Sequence, residues 1–173
     1  MSTELKSLIA ETQAALRADP SKARATFASA SRQIEGLRSE ARLRGHSVTV
    51  DEPESLGGGD AGPNPVELIL AALGTCQEIT YRAYATALDI PLEAVRVELE
   101  GDLDLRGFFA VDAAVRPGYG AIRGKVHLVS EAPREKLEAL RRAVDAHCPV
   151  LDIVSRPVPV ELELAPTAPL GAA

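Results

Sequence analysis

The sequence lacks an excess of positive charge. Its 19 Lys and Arg residues are outnumbered by 25 Asp and Glu residues, which gives a formal net charge of -6 at pH 7. Binding to phosphate backbones needs a concentrated Lys and Arg face. We therefore expect no nucleic-acid partner.

A long hydrophobic run is also missing. No stretch approaches the 18 or so uninterrupted apolar residues that a transmembrane helix needs. The N-terminal residues MSTELKSLIAETQ contain acidic side chains where a signal peptide would have a basic and then an apolar segment. These absences predict no membrane partner and a cytoplasmic location.

Cysteine is scarce, with two residues in the chain, Cys76 and Cys148. A structural disulfide is not expected in the cytoplasm, and two thiols alone cannot complete a tetrahedral metal site. Three interpretations remain open: buried packing residues, a redox pair, or a nucleophile with a bystander.

The length of 173 residues fits one domain with a sizeable core. Apolar residues at helical spacing predict an amphipathic helix over residues 3–18, which ends at Asp19 and Pro20. We expect residues 1–25 to form an N-terminal helical arm and residues 26–173 to form the single domain.

Alternation of apolar and polar residues predicts strands in four parts of the domain. Such strands belong to an antiparallel or mixed sheet with one covered face, because buried parallel strands read as continuous apolar runs. Pro157 and Pro159 place the last of these strands at a sheet edge or at a strand start. The alternating positions are Leu37 to Val50, Val95 to Leu105, Ile122 to Leu128, and Val158 to Leu164.

Two helical segments accompany the strands. Residues 65–88 are apolar nearly all round in their first half, which predicts a long central helix buried on most sides. Residues 133–146 carry one apolar stripe and predict a surface helix. The order of strands and helices makes an α+β domain with a mainly antiparallel sheet.

A glycine-rich loop, GGGDAGPNP, precedes the central helix. Its spacing formally satisfies G-x-G-x-x-G, but prolines flank it and Asp60 puts negative charge where a pyrophosphate would sit. Asn64, Pro65 and Glu67 instead match an N-cap, a first helical residue and the third residue of a capping box. The loop is therefore interpreted as the approach to a helix rather than as a nucleotide site.

Local chemistry treats the two thiols differently. Cys76 lies on the apolar stripe of the central helix. There, a small side chain that only packs in the core is as good an interpretation as a functional thiol. Cys148 precedes Pro149 at the start of a predicted short helix, where backbone amides and the helix dipole favour a thiolate and a lowered pKa. On local grounds alone, Cys148 is the better-activated sulfur.

Four stretches together resemble the OsmC/Ohr family, named for osmotically inducible protein C and the organic hydroperoxide resistance proteins. They are DEP…GG…GPNPVELILAALGTC, GDLDLRG, RPGYGAIRGKV and HCPVLDIV. The similarity covers roughly residues 27–164 and is closest to the OsmC-like branch.

The resemblance implies a homodimer in which two subunits intertwine and their sheets wrap long central helices. It also implies a peroxidase without metal or flavin. Cys76 attacks an organic hydroperoxide, Cys148 resolves the sulfenic acid to a disulfide, and a dithiol, often lipoyl-linked, reduces that disulfide. On this assignment Cys76, not Cys148, is the peroxide-reactive sulfur.

The chain departs from the family pattern at the residues that activate the first cysteine. Hydroperoxide-resistance members place a glutamate ten residues before it, where this chain has Val66. The nearest carboxylate is Glu67, half a helical turn away from Cys76 around the axis, and Arg44 is the candidate arginine. The rival hypothesis is a non-catalytic dimer that binds a small apolar molecule in the pocket around Cys76.

Overall fold

The computed structural model describes residues 2–165. The element order is α+β, as the sequence predicts. In chain order the elements are α1 (Ser2–Ala18), β1 (Ala30–Glu35), β2 (Arg38–Leu43), β3 (His46–Val50), α2 (Pro65–Ala87), β4 (Ala94–Leu103), α3 (Leu105–Phe108), β5 (Tyr119–Val129), α4 (Arg134–His147) and α5 (Pro149–Ser155), with short 3₁₀ turns at Pro20–Ala23 and Glu54–Leu56.

The strands form two antiparallel sheets. β1, β2 and β3 make a three-stranded meander, and β4 pairs with β5 along nearly its whole length. Along β4, half-buried residues alternate with exposed charged ones, which is the pattern of a sheet with one covered face. The prediction of antiparallel strands is confirmed.

Helix α2 begins where the sequence predicts, because its first turn is capped from both sides. Asn64 Oδ1 accepts from the amide of Glu67 at 2.9 Å, and Glu67 Oε2 accepts from the amide of Asn64 at 2.8 Å. Pro65 occupies the first helical position, where its missing N–H costs nothing. This capping box satisfies backbone donors that would otherwise lack partners.

The core forms where the second half of α2 packs on α4. Its fully buried members are Tyr81, Leu140 and Val144, joined by Ala85 and by Ile90 in the connection to β4. Burial raises the pKa of the Tyr81 hydroxyl to about 12. This packing fixes α2 against the helical segment that carries Cys148.

The predicted burial of α2 on most sides is not met within one chain. Helix α2 packs on β4, α4, α5 and α1. Its buried residues share one face, whereas Ile79 lies on the opposite face and is 70% exposed. Within residues 2–165, the sheet of β1 to β3 makes no extended contact with a helix or with the other sheet. Both surfaces have apolar residues without a covering layer.

The last predicted strand is wrong for this chain taken alone. Residues 157–165 form no strand, and Leu162 is 92% exposed. A strand requires a neighbouring edge with which to exchange hydrogen bonds, and none lies beside this segment in the described part of the chain. Leu105, assigned to a strand by its spacing, instead begins the short helix α3 because Asp104 caps it.

The remaining boundaries agree closely with the sequence. Helices α1 and α4 each lie within about one residue of their predicted limits, and the division into an arm of residues 1–25 and a domain of residues 26–173 stays a prediction. No helix among the described residues is long and apolar enough to cross a bilayer.

Candidate thiol site

The fold brings the two cysteines together although they are 72 residues apart in the sequence. Cys76 lies in the middle of α2, and Cys148 is the residue that joins α4 to α5. The Cys148 thiol donates to Cys76 Sγ with the two sulfurs 3.4 Å apart, and both cysteines are free. A disulfide bond is about 2.05 Å long, so small side-chain rotations are enough to close one.

The two sulfurs differ in access. Cys148 is 1% exposed, whereas Cys76 is half-buried. A molecule arriving from solvent therefore reaches Cys76 first. Cys148 is positioned to react with whatever forms on Cys76.

Burial raises the pKa of the Cys148 thiol. The amides of Leu151 and Val150, at the start of α5, act in the opposite direction, as the helix-terminus argument predicts. They are outweighed by desolvation, with a further increase from the neighbouring Cys76. The local prediction of a lowered pKa for Cys148 is therefore wrong, because it took no account of burial.

Glu67 and Arg44 are not brought to the thiols within one chain. Glu67 is held in the capping box, and nine residues of helix place it about 13 Å from Cys76 along the axis. Arg44 is exposed in the turn between β2 and β3, with a positive φ of 57°. In the part of the chain that the structure describes, neither side chain bonds to a cysteine, and their catalytic roles stay predictions.

Tyr119 is a neighbour of the helix start that the sequence reasoning missed. Its hydroxyl donates to the carbonyl of Val66 at 3.0 Å, at the position where a carboxylate was expected. Burial, and then the charge of Glu67, raise the pKa of this hydroxyl. A glycine inside a strand, Gly101 in β4, is the sequence feature that indicates this close packing. A Cβ at that position would lie 2.5 Å from the ring of Tyr119.

The glycine-rich loop folds around an internal carboxylate. Asp51 is 3% exposed and accepts backbone hydrogen bonds from Glu52 at 2.9 Å, Gly59 at 3.1 Å and Ala61 at 3.2 Å. These amides are the kind of donors that a bound phosphate would require. Since Asp51 already occupies them, the loop offers no phosphate site.

We expect Asp51→Asn to lower the melting temperature by about 5 °C at pH 7, because it removes an ionised acceptor from three amides. Burial acts to raise the pKa of Asp51, but the amides of Ala61, Glu52 and Gly59 together lower it below its usual value. The carboxylate therefore stabilises the fold above about pH 4, and this stabilisation is lost as the pH falls through the lowered folded pKa.

Thermal melting at pH 7 and pH 3 tests this expectation. The difference between wild type and Asp51→Asn should shrink at the lower pH. Asp60→Asn is the matched control, since Asp60 is an exposed acid in the same loop. Equal melting of wild type and Asp51→Asn at pH 7 would contradict the assigned role.

A cavity of about 600 Å³ lies between α2, the β4–β5 sheet and α5. Its lining includes Leu73 and Gln77, which are three residues before and one residue after Cys76 on α2, and Leu151, which is three residues after Cys148 on α5. Apolar side chains form much of its wall, and exposed charged residues such as Arg116 and Lys125 stand at its rim. No group of three or more His, Cys, Asp or Glu residues able to hold a metal ion occurs within residues 2–165.

Residues 57–163 match the family model described as OsmC-like protein. In fold the chain is similar to an OsmC-like protein from Mycoplasma pneumoniae, at 16% identity and a TM-score of 0.66 over 76% of this chain and 88% of that one. It is also similar to an organic hydroperoxide resistance protein OsmC from Legionella pneumophila, at 21% identity and a TM-score of 0.58 over 76% and 91% of the two chains. A third similar structure is an organic hydroperoxide resistance protein from Elizabethkingia anophelis, at 16% identity and a TM-score of 0.59 over 78% and 90%. No curated protein matches the sequence.

Proposed function

The chain belongs to the OsmC-like protein family, and from this premise we propose that it is a thiol-dependent peroxidase that reduces organic hydroperoxides in defence against oxidative stress. The observation that carries the proposal is the separation of 3.4 Å between Cys76 Sγ and Cys148 Sγ. Two residues that merely fill space in the core have no need of this proximity.

The difference in burial between the two sulfurs supports a division of roles. The half-buried Cys76, as a thiolate, attacks the outer oxygen of the hydroperoxide; the O–O bond breaks, and Cys76 becomes a sulfenic acid while the alkoxide takes up a proton to leave as an alcohol. Cys148 then attacks the Cys76 sulfur, forming a disulfide and releasing water. A dithiol, for which a lipoyl-linked protein is a candidate, returns both sulfurs to thiols.

The active form is proposed to be a homodimer. Support comes from the exposed apolar face of α2, the sheet of β1 to β3 without a covering layer, and the unpaired segment at residues 157–165. Monomeric proteins seldom expose so much contiguous apolar surface. A second copy offers both a covering layer and a strand edge.

The dimer would also allow two charged residues, Glu67 and Arg44, to approach a cysteine, which neither does within one chain. Glu67 and Arg44 are proposed to act on the cysteine of the other copy, because neither reaches a cysteine of its own chain. The arm of residues 1–25 is proposed as an addition to the family domain. A cytoplasmic location is proposed because the cycle depends on a reducing environment for its dithiol step.

Thiol counting tests the proposed activity. We expect a reduced sample to lose both thiols on addition of one equivalent of cumene hydroperoxide, and to form an intramolecular Cys76–Cys148 disulfide that dithiothreitol reverses. The measurement is a thiol titration with peptide mass mapping under non-reducing conditions. Survival of both thiols in excess hydroperoxide would refute the proposal.

The rival function is the binding of a small apolar molecule, and the cavity of about 600 Å³ favours it. A binding protein has no use for a second thiol beside the first. A chain that keeps both thiols in hydroperoxide but binds an apolar fluorescent probe in this cavity would support the binding function instead.

A further inference from the structure

Gln77, the residue after Cys76 on α2, is a buried polar side chain without a partner. It is 6% exposed, and within residues 2–165 its side-chain amide makes no hydrogen bond. Side-chain amides of residues this deeply buried are nearly always paired with a protein group or with an ordered water. An unpaired amide at this position therefore needs an explanation.

Gln77 lines the cavity next to the segments of α2 and α5 that carry the thiols. Among the described residues, no side-chain nitrogen or oxygen is both sealed from solvent and unpaired, so the polar atoms of Gln77 have access to open space. The open space next to it is the cavity between α2, the sheet and α5, which Gln77 lines together with Leu73 and Leu151. The free donor thus faces a space large enough for an organic molecule.

We propose that Gln77 is a catalytic residue whose amide N–H donates a hydrogen bond to the hydroperoxide bound beside Cys76. The inference rests on the peroxidase function proposed above. The proposed donor is neutral and lies on the same helix as the reactive sulfur. Within residues 2–165, no charged side chain bonds to Cys76.

The course of the reaction shows which oxygen of the hydroperoxide a hydrogen bond from Gln77 would stabilise. When the Cys76 thiolate attacks the outer oxygen, the electron pair of the breaking O–O bond moves to the inner oxygen, which leaves as an alkoxide and takes a proton from water. Negative charge therefore develops on the inner oxygen in the transition state. A positioned N–H donor at a developing charge accelerates a reaction by roughly 100- to 1,000-fold where water is excluded, and somewhat less at an open site.

Gln77→Met is the test variant, because methionine keeps the volume and removes the hydrogen-bond donor. We expect the rate constant for oxidation of Cys76 by cumene hydroperoxide, measured in a single turnover, to fall at least about tenfold. The rate of alkylation of Cys76 by iodoacetamide should stay within about twofold of wild type. The melting temperature should be unchanged, because the variant keeps the side-chain volume and breaks no hydrogen bond among the described residues.

Ser155→Ala is the matched control, because it removes a polar group from the α5 side of the same cavity. It should oxidise at the wild-type rate. Gln77→Asn keeps an amide on a shorter side chain. Its rate constant for oxidation of Cys76 should fall between those of wild type and Gln77→Met.

The outcomes separate this inference from the proposed function. Oxidation of Gln77→Met at the wild-type rate overturns the role of Gln77 and leaves the peroxidase standing. A parallel fall in oxidation and alkylation also overturns it, because Gln77 would then act on the thiol rather than on the peroxide. A wild-type protein that hydroperoxide does not oxidise removes the peroxidase function and this inference together.

Discussion

A Cys76→Ser variant is expected to consume no organic hydroperoxide above the uncatalysed background. Cys148→Ser, without added reductant, is expected to form a sulfenic acid on Cys76 with the first equivalent of hydroperoxide and to be oxidised further by an excess. Serine has no sulfur to oxidise, so the first step is lost in Cys76→Ser. In Cys148→Ser the first step remains, because Cys76 is the more accessible of the two sulfurs. Its sulfenic acid then has no thiol partner at 3.4 Å.

Hydroperoxide consumption with dithiothreitol as reductant measures the first effect. Intact mass after treatment with dimedone, which labels sulfenic acids, measures the second. Circular dichroism and melting curves control for folding, particularly for Cys148→Ser, which places a hydroxyl at a fully buried site. A dimedone adduct on Cys148 in the Cys76→Ser variant would reverse the assigned roles.

An Ile79→Glu variant is expected to convert the proposed dimer into a monomer. Ile79 lies on the face of α2 that one chain leaves open, and it is 70% exposed there. A glutamate at this position costs the isolated chain little, because the side chain already faces solvent. In a dimer the same charge would be buried in an apolar interface without a partner, which strongly disfavours association.

Light scattering coupled to size exclusion measures the mass, which we expect to fall from twice the chain mass to once that mass at micromolar concentration. Phe108→Glu is the matched control, since Phe108 is a 63% exposed apolar residue on α3, which makes no extended contact with α2. A wild-type protein that is already monomeric, or an Ile79→Glu variant that remains dimeric, would contradict the placement of the interface. Loss of peroxidase activity in the monomer would support a contribution of the second copy to the site.

Local signals in the sequence predict the elements of this fold well. Asn64, Pro65 and Glu67 mark the start of α2 because capping is a short-range interaction between neighbouring residues. The alternation along β4 predicts a sheet with one covered face, because side chains alternate across any strand. Pro149 marks α5, since proline suits a first helical position.

Features that depend on tertiary contact were beyond local signals. The pKa of Cys148 is set by burial, which no pattern around residue 148 encodes. The segment at residues 157–165 has the alternation of a strand, but pairing requires a neighbouring strand, and it pairs with none among the described residues. The sequence does not indicate that the Asp51 carboxylate accepts the amides of the glycine-rich loop, because one of those amides lies ten residues away.

The resemblance to the OsmC/Ohr family contributed what local signals did not. It predicted that Cys76 and Cys148 would meet, and the structure places them in contact. It does not specify which charged groups act on Cys76, because Val66 replaces the expected carboxylate and its carbonyl accepts a hydrogen bond from Tyr119 instead. The family therefore predicts the thiol pair, and the environment of that pair must come from this chain.

The short distance between the two sulfurs has a consequence for survival in excess oxidant. A sulfenic acid on Cys76 faces two competing fates, closure by Cys148 or attack on a second hydroperoxide that gives an irreversible sulfinic acid. A thiol held at 3.4 Å acts at an effective concentration far above any hydroperoxide in solution. In a peroxidase of the proposed kind, closure therefore wins, and the enzyme resists inactivation by its own substrate until Cys148 is removed.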